Sequence, residues 1–247
     1  MPRPASPGPP ALPGPPVHPT PPAHPARPAS PTHVPSDRPR VELPFDAAPL
    51  AKRPLQTERL RLRPLEASDA PDVWEYQRLP EVLRYIPWIE RTEEEGYEHT
   101  RTRSGMRRLV AAGDALILAM ELVGEASVSP DSPTDRIVGD LMLRVASTEH
   151  AQFEVGWVVH PDFQGRGLAA EAARAVLDLA FGRIRAHRVQ ANLDTRNEAS
   201  ARLCERLGMR REATILEEQF HDGEWEDTAI YGILAREWAE RAAASTR

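Results

Sequence analysis

Hydrophobic and polar residues alternate along several short stretches after residue 54. A period of two residues predicts β-strands that bury one face. In the first such stretch, Leu60 and Leu62 alternate with Arg59, Arg61 and Arg63. We therefore expect ordered structure to begin near this point, at residue 55.

The clearest alternation lies further along, where Phe153, Val155, Trp157 and Val159 are separated by smaller or charged residues. Successive side chains of a strand point to opposite faces, so the bulky residues share one face and Glu154 lies on the other. The same pattern predicts strands at 115–122, 136–146 and 189–193, and a closing pair of strands around Gly223.

A helical period predicts four helices between these strands. Leu168, Ala172, Val176 and Leu179 form one apolar stripe, and the last of the four helices ends at Gly208. The other two predicted helices span about 68–77 and 92–111. The order β-α-α-β-β-β-α-β-α-β-β indicates a single domain of the α/β (α+β) class.

The N-terminal segment differs from the rest of the chain in composition. Residues 1–54 hold 19 of the 26 prolines and almost no aromatic residues. Such a segment buries too little apolar surface to offset the entropy of ordering, so we expect a disordered tail. Its PxxP spacings are typical of polyproline II ligands, and an upstream stretch that is not translated is an alternative interpretation. The expected domain covers 55–240, with a flexible end at 241–247.

Charge and cysteine content restrict the class of protein. The net charge is −6, and it divides into +3 for residues 1–54 and −9 for the remainder. An acidic domain disfavours nucleic acid or anionic membranes as partners and is compatible with a cationic amine. A single cysteine, the absence of a long apolar run and the lack of metal-ligand spacing predict a cytoplasmic protein without disulfide, membrane span or metal.

A glycine-rich turn follows the strand that ends near Val159. The segment from Gln164 to Ala169 reads QGRGLA and leads directly into a helix. The first N–H groups of a helix lack internal partners and lie at the positive end of its dipole, so this turn is suited to binding an anion such as a diphosphate. Two alternatives remain open here: a tight turn without a ligand, and a dinucleotide site in which GxGxxA from Gly165 acts with Asp194.

Four motifs together resemble the GNAT superfamily of acyl-CoA N-acetyltransferases. Gln164, Gly167 and Ala169 fit its QxxGxA coenzyme A loop, and the residues from Asn197 to Met209 are similar to its NxxSxxLxxxxGF helix. The closing hairpin from Gly223 to Trp238 resembles that of its ribosomal-protein-alanine acetyltransferase branch. Together with the LxTERLxLRPL start, the resemblance covers residues 55–238.

The resemblance implies a fold, a cosubstrate and a set of binding residues. The fold is a mixed, mostly antiparallel sheet of about seven strands flanked by four helices, splayed between the fourth and fifth strands. Acetyl-CoA is the implied cosubstrate, and no metal is required. Its implied binding residues are Trp157, Val158, Val159, Gln164, Gly165, Arg166, Gly167, Leu168, Ala169, Asn197 and Ser200.

Catalysis of direct transfer needs a base, an oxyanion donor and an acid. Glu154 is the candidate base, because it is the ionisable residue within its strand and points away from the bulky face. A backbone N–H near Val158 is the expected oxyanion donor. Many family members use a tyrosine as the acid, and Cys204 stands at that position; Ser200, one turn earlier, matches the serine implied by the ribosomal branch.

The acceptor is expected to be a primary amine, either a protein N-terminus or a small molecule. Tyr85 and Trp88, in an aromatic loop that either covers the substrate or packs on the core, are candidate contacts, as are Glu154 and Asp227. A coenzyme A-binding module without catalysis and a NAD-binding protein are the competing functions. The sequence leaves open whether the protein is a monomer or a homodimer.

Overall fold

A computed structural model describes residues 40–221 and 223–245 of the chain. The predicted tail up to residue 39, including its PxxP spacings, lies outside these residues. The elements in order are β1 (Phe45–Asp46), α1 (Pro49–Lys52), β2 (Leu55–Gln56), β3 (Leu60–Pro64), α2 (Ala70–Gln77), α3 (Pro80–Leu83), α4 (Glu93–Ser104), β4 (Arg108–Leu109), β5 (Ala115–Ala126), β6 (Asp135–Ser147), β7 (Gln152–Val159), α5 (Leu168–Asp178), β8 (Arg188–Asp194), α6 (Glu198–Leu207), β9 (Arg210–His221), β10 (Glu224–Leu234) and α7 (Ala235–Ser245).

The main sheet has eight strands in the order β2-β3-β5-β6-β7-β8-β10-β9. Every neighbouring pair is antiparallel except β7 and β8, which run parallel. These two strands pair only where residues 152–154 meet residues 188–190, and they part beyond Glu154. The predicted mixed, mostly antiparallel sheet with a splay is therefore confirmed, with one short strand, β2, more than expected.

Helices cover both faces of this sheet. Consecutive residues of β5 divide between two apolar clusters: Leu116 and Leu118 belong to one, and Ile117 and Ala119 to the other. The first cluster includes side chains of α5 and α6, and the second those of α2 and α3. The splay between β7 and β8 thus opens between helices on opposite sides of the sheet.

The folded region starts earlier than the sequence predicted. Phe45, Ala47 and Leu50 are buried in the first cluster, and β1 pairs with β4. Proline content alone was misleading, because Pro49 occupies the first turn of α1, where a missing N–H costs nothing. The boundary expected after residue 54 is therefore wrong for residues 45–54.

Two other predicted boundaries also move. The helix expected at 92–111 ends at Ser104, where Gly105 follows and the chain turns into β4; its start is held by a capping box between Thr92 and Glu95. The C-terminal segment expected to be flexible from residue 241 continues α7 to Ser245.

His99 lies on α4 in a half-buried position beside an aromatic ring. Its ring meets that of Trp88 edge-on at 5.1 Å between centroids, and its Nδ1 is 3.2 Å from the Gln77 Oε1. Burial, together with Arg91 and Arg103, lowers the pKa of His99 to about 4. The folded protein therefore holds this imidazole neutral at pH values where an unfolded chain binds a proton.

This lowered pKa predicts an acid-dependent loss of stability. Because the unfolded chain binds more protons between about pH 6.5 and 4, stability falls as pH falls through that window. Between pH 7 and 4.5 we expect the free energy of unfolding of the wild type to fall by about 2 kcal/mol more than that of His99→Gln. Urea unfolding at both pH values measures the difference. His150→Gln, at an exposed histidine, is the control and should follow the wild type.

Candidate active site

The turn that connects β7 to α5 has the shape of an anion-binding loop. Gly165 and Gly167 both adopt left-handed backbone conformations, with φ of 70° and 81°, which glycine takes without strain. The first hydrogen bond of α5 runs from the Glu171 N–H to the Gly167 carbonyl at 3.1 Å. The N–H groups of residues 168–170 therefore precede the helical ladder and point out of its positive end.

Side chains on either side of the loop fix its position. The buried His160 accepts a hydrogen bond on Nδ1 from the Asp162 N–H at 3.1 Å, and burial lowers its pKa, which keeps the ring neutral and able to accept. The Gln164 Nε2 donates to the Val159 carbonyl at 2.9 Å. The loop is thus tied to the end of β7.

A cavity of about 590 Å³ runs from this loop into the splay. Its walls come from α5 and α6 on one face of the sheet and from α3 and the loop after it on the other, so it passes between the parted strands. The predicted residues that line it are Tyr85, Trp157, Val158, Val159, Gln164, Gly165, Gly167, Leu168, Ala169, Asn197 and Ser200.

The lining also includes residues that the sequence analysis missed. Glu81 and Val82 come from α3, whose signal was Pro80 in its first turn. Arg202 and Arg206 come from α6 and lie four residues apart, a spacing that places both on one helical face. Both arginines add positive charge to the cavity wall, and Arg202 also forms an ion pair with Glu198.

The direction of the β7 backbone corrects the predicted oxyanion donor. The His160 N–H bonds to the Val138 carbonyl on β6, and N–H groups along a strand alternate in direction, so the Val158 N–H also faces β6. The N–H and C=O groups of Trp157 and Val159 then face the splay, as the bond from Gln164 to the Val159 carbonyl shows. The N–H groups of Trp157 and Val159, on either side of Val158, are therefore the ones available to donate to an oxyanion.

Ser200 is held at the cavity wall by two bonds. Its backbone N–H donates to the Asn197 Oδ1, which caps α6, at 3.0 Å. Its Oγ accepts from the Trp157 Nε1 at 3.2 Å. Because an indole nitrogen can only donate, the serine oxygen is the acceptor and its own proton is directed elsewhere. This bond links β7 to α6 across the splay.

Cys204 lies outside this site. The side chain is fully buried in the first apolar cluster, outside the cavity lining. Burial raises the pKa of its thiol to about 12. The thiol is thus separated from a thiolate that leaves in the cavity, whereas Ser200 lines that cavity, so the structure does not support Cys204 as the acid.

The buried thiol gives a direct chemical prediction. At pH 8 a pKa of about 12 leaves a thiolate fraction on the order of 10⁻⁴, and the thiolate is the reactive form. We expect native protein to resist 5,5′-dithiobis(2-nitrobenzoate) and to release one equivalent of thionitrobenzoate only after unfolding in guanidinium chloride. Rapid labelling of the native protein would contradict this placement of Cys204.

Glu154 lies at the vertex of the splay, on the face opposite to Trp157. Its carboxylate forms an ion pair with Arg144 on β6 and accepts from the Asn192 Nδ2 at 3.2 Å. The side chain is 14% exposed and lies outside the cavity lining. The structure therefore places the predicted base beside the site, already paired with a cation.

Three further predicted residues lie away from the cavity. The Trp88 ring packs on Arg103 and His99. The Asp227 carboxylate accepts from the Glu217 N–H at 2.9 Å. The Arg166 guanidinium stacks on Phe163 at 5.2 Å from the ring centroid, so this residue belongs to the loop through its backbone alone. Of the aromatic loop, Tyr85 is the member at the cavity and Trp88 packs on α4.

The sheet also decides against a dinucleotide site. A doubly wound nucleotide-binding sheet is mostly parallel, whereas β7 and β8 are the one parallel pair among the described strands. Asp194, the candidate ribose ligand, is instead bound by Arg196 through both carboxylate oxygens. Hydrogen bonds from Arg196 outweigh burial and lower the pKa of Asp194.

The described part of the chain contains neither a cluster of metal ligands nor a membrane-spanning helix. Among residues 40–221 and 223–245, His, Cys, Asp and Glu nowhere form a group of three or more that could hold a metal ion. Every helix within these residues is too short or too polar to cross a membrane.

Comparison with known proteins gives consistent matches. The family model described as "Acetyltransferase (GNAT) domain" matches residues 59–210. YnaD of Bacillus subtilis, an uncharacterized N-acetyltransferase, is 32% identical over 74% of this chain and 98% of its own length. The spermidine N(1)-acetyltransferase of Escherichia coli K12 is 25% identical over 72% of this chain and 88% of its length.

Solved structures agree with these relatives. A GNAT-family acetyltransferase from Bacillus anthracis superposes with a TM-score of 0.62 at 31% identity and covers 73% of this chain and 98% of its own. Structures described as ribosomal-protein acetyltransferases also match, but at 16% and 17% identity they show the fold alone. The family match spans more than half of the chain and includes both the loop and the splay, and the chain therefore belongs to the GNAT acetyltransferase family.

Proposed function

We propose that this protein transfers the acetyl group of acetyl-CoA to a primary amine, with both substrates bound in the cavity at once. One observation carries the proposal: a single cavity joins the N–H groups at the start of α5 to the splay where Ser200 and the β7 backbone lie. The proposed anion site at the start of α5 and the proposed reaction centre at the splay thus lie in the same cavity. The competing function, a coenzyme-binding module without catalysis, rests on Cys204 standing where many family members have a tyrosine, but Ser200 at the cavity wall offers another acid.

Acetyl-CoA would enter from the α5 and α6 face. Its diphosphate would accept hydrogen bonds from the N–H groups of residues 165–170, where the helix dipole adds positive potential. Arg202 and Arg206 line the same cavity and would add positive charge. The pantetheine arm would pair with the groups of Trp157 and Val159 that face the splay, in the manner of an added strand.

The amine would approach from the α3 face, where Tyr85 and Val82 line the other end of the cavity. Its nitrogen attacks the thioester carbon, a backbone N–H of β7 stabilises the oxyanion, and the C–S bond breaks as the C–N bond is completed. The coenzyme leaves as a thiolate and takes a proton from the Ser200 hydroxyl, which regains one from water in the cavity and so acts as a proton relay. The Trp157 indole N–H, bonded to the Ser200 oxygen, stabilises the charge left there.

The proton released by the amine is assigned to Glu154. This carboxylate is on the face of β7 that α2 and α3 cover, from which the amine would approach. It lies about 10 Å along the strand from Trp157, so the proton would pass through water. An ion pair joins the carboxylate to Arg144 on β6. Asn192 holds its orientation.

Glu154→Gln tests this assignment. We expect kcat to fall about tenfold while KM for acetyl-CoA stays near the wild-type value, because a proton acceptor is lost and the coenzyme site is intact. Steady-state release of the coenzyme thiol between pH 6 and 9 provides both constants. Glu149→Gln, at an exposed loop position, is the matched control. Equal kcat for the two variants would remove Glu154 from the mechanism.

The function itself is tested by an acceptor screen. Purified protein is incubated with acetyl-CoA and a panel that contains peptides with free N-termini and small amines such as spermidine, and products are weighed by mass spectrometry. We expect one class of acceptor to gain about 42 Da for each acetyl group that replaces a hydrogen. An equal amount of coenzyme thiol should be released. If every acceptor stays unmodified while acetyl-CoA binds, the module without catalysis is the better account.

A further inference from the structure

The turn between β2 and β3 contacts the first turn of α5, although the two lie more than a hundred residues apart in sequence. The Glu171 Oε1 accepts from the Thr57 hydroxyl at 2.6 Å and from the Arg59 N–H at 2.7 Å. Its Oε2 accepts from the Arg59 Nε at 2.8 Å and lies 2.6 Å from Nη2. One carboxylate of α5 thus receives three hydrogen bonds and one ion-pair contact from this turn.

The same arginine also reaches the glycine-rich loop. The Arg59 Nη1 donates to the Arg166 carbonyl at 2.9 Å. In a planar trans peptide the N–H points opposite to the C=O, so this bond fixes the direction of the Gly167 N–H, away from Arg59. Gly167 is the left-handed residue that starts α5 and lines the cavity. Arg59 therefore sets the orientation of a peptide within the loop.

The positive charge of Arg59 has a second effect, because it acts on the carboxylate of Glu171. Glu171 lies in the first turn of α5, close to where a diphosphate would bind, and its negative charge opposes an anion there. Burial alone would raise the pKa of Glu171, but the bonds from Thr57 and Arg59 outweigh it and lower the pKa, so the carboxylate is ionised. The Arg59 guanidinium neutralises that charge at contact distance.

We propose that Arg59, held by Glu171 and Thr57, is a positioning residue that orients the Arg166–Gly167 peptide for diphosphate binding and shields the diphosphate from Glu171. This inference rests on the proposed function, since it assumes that the loop binds the diphosphate of acetyl-CoA. This inference assigns a role to Thr57 and Arg59, neither of which takes part in the proposed acetyl transfer. Arg59 acts through the loop and not on the reacting atoms.

The test compares two thioesters that differ in the diphosphate. Acetyl-CoA carries it, and S-acetylpantetheine lacks both the diphosphate and the nucleotide. Dissociation constants for both are measured by isothermal titration calorimetry on the wild type, Arg59→Ala, Glu171→Gln and the double variant. We expect Arg59→Ala to weaken acetyl-CoA about tenfold, which corresponds to one bond to a charged group, and to leave S-acetylpantetheine unchanged.

The double variant separates the two effects of Arg59. Removing the carboxylate as well relieves the repulsion, so Arg59→Ala/Glu171→Gln should bind acetyl-CoA about threefold more tightly than Arg59→Ala alone. Arg61→Ala is the matched control, because Arg61 is similarly exposed on the same segment but pairs with Glu121. It should bind both thioesters as the wild type does.

Each contrary outcome has a distinct meaning. If Arg59→Ala weakens both thioesters equally, the residue supports the fold and the positioning role is wrong. If it weakens neither, the loop holds its shape without Arg59 and the proposal is again wrong. If the wild type binds no acetyl-CoA, the proposed function fails together with the inference, whereas a failed acceptor screen with intact acetyl-CoA binding leaves the inference standing.

Discussion

Ser200→Ala is expected to lower kcat about 100-fold while KM for acetyl-CoA changes less than about threefold. In the proposed mechanism this hydroxyl protonates the leaving thiolate. Its oxygen already accepts the Trp157 indole N–H, so its own proton is directed elsewhere. The substitution keeps the backbone N–H that bonds to Asn197, so the start of α6 should be unchanged. Initial rates of thiol release at saturating amine measure kcat.

Cys204→Ala is the matched control for this prediction, because it lies one turn further along α6. Its thiol is fully buried, so we expect kcat within about threefold of the wild type. Trp157→Phe should give an intermediate loss, since it removes the indole N–H and keeps the ring. A normal kcat for Ser200→Ala together with a large loss for Cys204→Ala would show that the acid has been assigned to the wrong residue.

Arg103→Ala is expected to lower the free energy of unfolding by about 3–5 kcal/mol, the cost of leaving a buried ion without its partner. Asp140 on β6 is 2% exposed and receives bonds from Arg103 on α4 and from the Tyr76 hydroxyl on α2, the latter at 2.7 Å. Burial, followed by the charge of Asp140, raises the pKa of Tyr76 well above its usual value, so the phenol remains a donor. This cluster joins α2 and α4 to one face of the sheet at β6.

Arg101→Ala on the same helix is the control for the buried pair. Arg101 also forms an ion pair, with Glu98, but both side chains are more than half exposed. Its loss should cost less than about 0.5 kcal/mol. Urea unfolding of the two variants measures the contrast. Similar destabilisation by both substitutions would mean that burial does not set the strength of the Asp140 pair.

Local signals in the sequence predicted the loop well. Glycines at 165 and 167 and the helix that starts directly after them are determined by neighbours within a few residues. Strand alternation in the same way placed Trp157 and Glu154 on opposite faces of β7. The shape of the loop that we propose as the coenzyme site could therefore be predicted from the sequence.

Features that depend on distant partners could not be predicted. Arg144 pairs with Glu154 because of the register between β6 and β7, which the sequence does not specify. Glu171 contacts Thr57 and Arg59 only after the sheet has formed. The order of strands and the phase of each helix set these contacts, and both arise from tertiary packing.

Composition was misleading at the N-terminus for a related reason. Prolines dominate the first 54 residues, yet Phe45 and Leu50 are buried against the sheet. A short apolar segment needs few residues to dock, and its signal is lost in an average over a long proline-rich stretch. Burial of individual side chains decides where the domain begins.

The central claim is that the N–H groups at the start of α5 bind the diphosphate of the coenzyme. Backbone amide shifts of ¹⁵N-labelled protein, followed during titration with coenzyme A, test it directly. We expect the largest changes at Gly165 and Gly167 through Ala170, with smaller ones at Trp157 and Val159. Saturation with coenzyme A that leaves the amides of residues 165–170 unmoved would contradict the account.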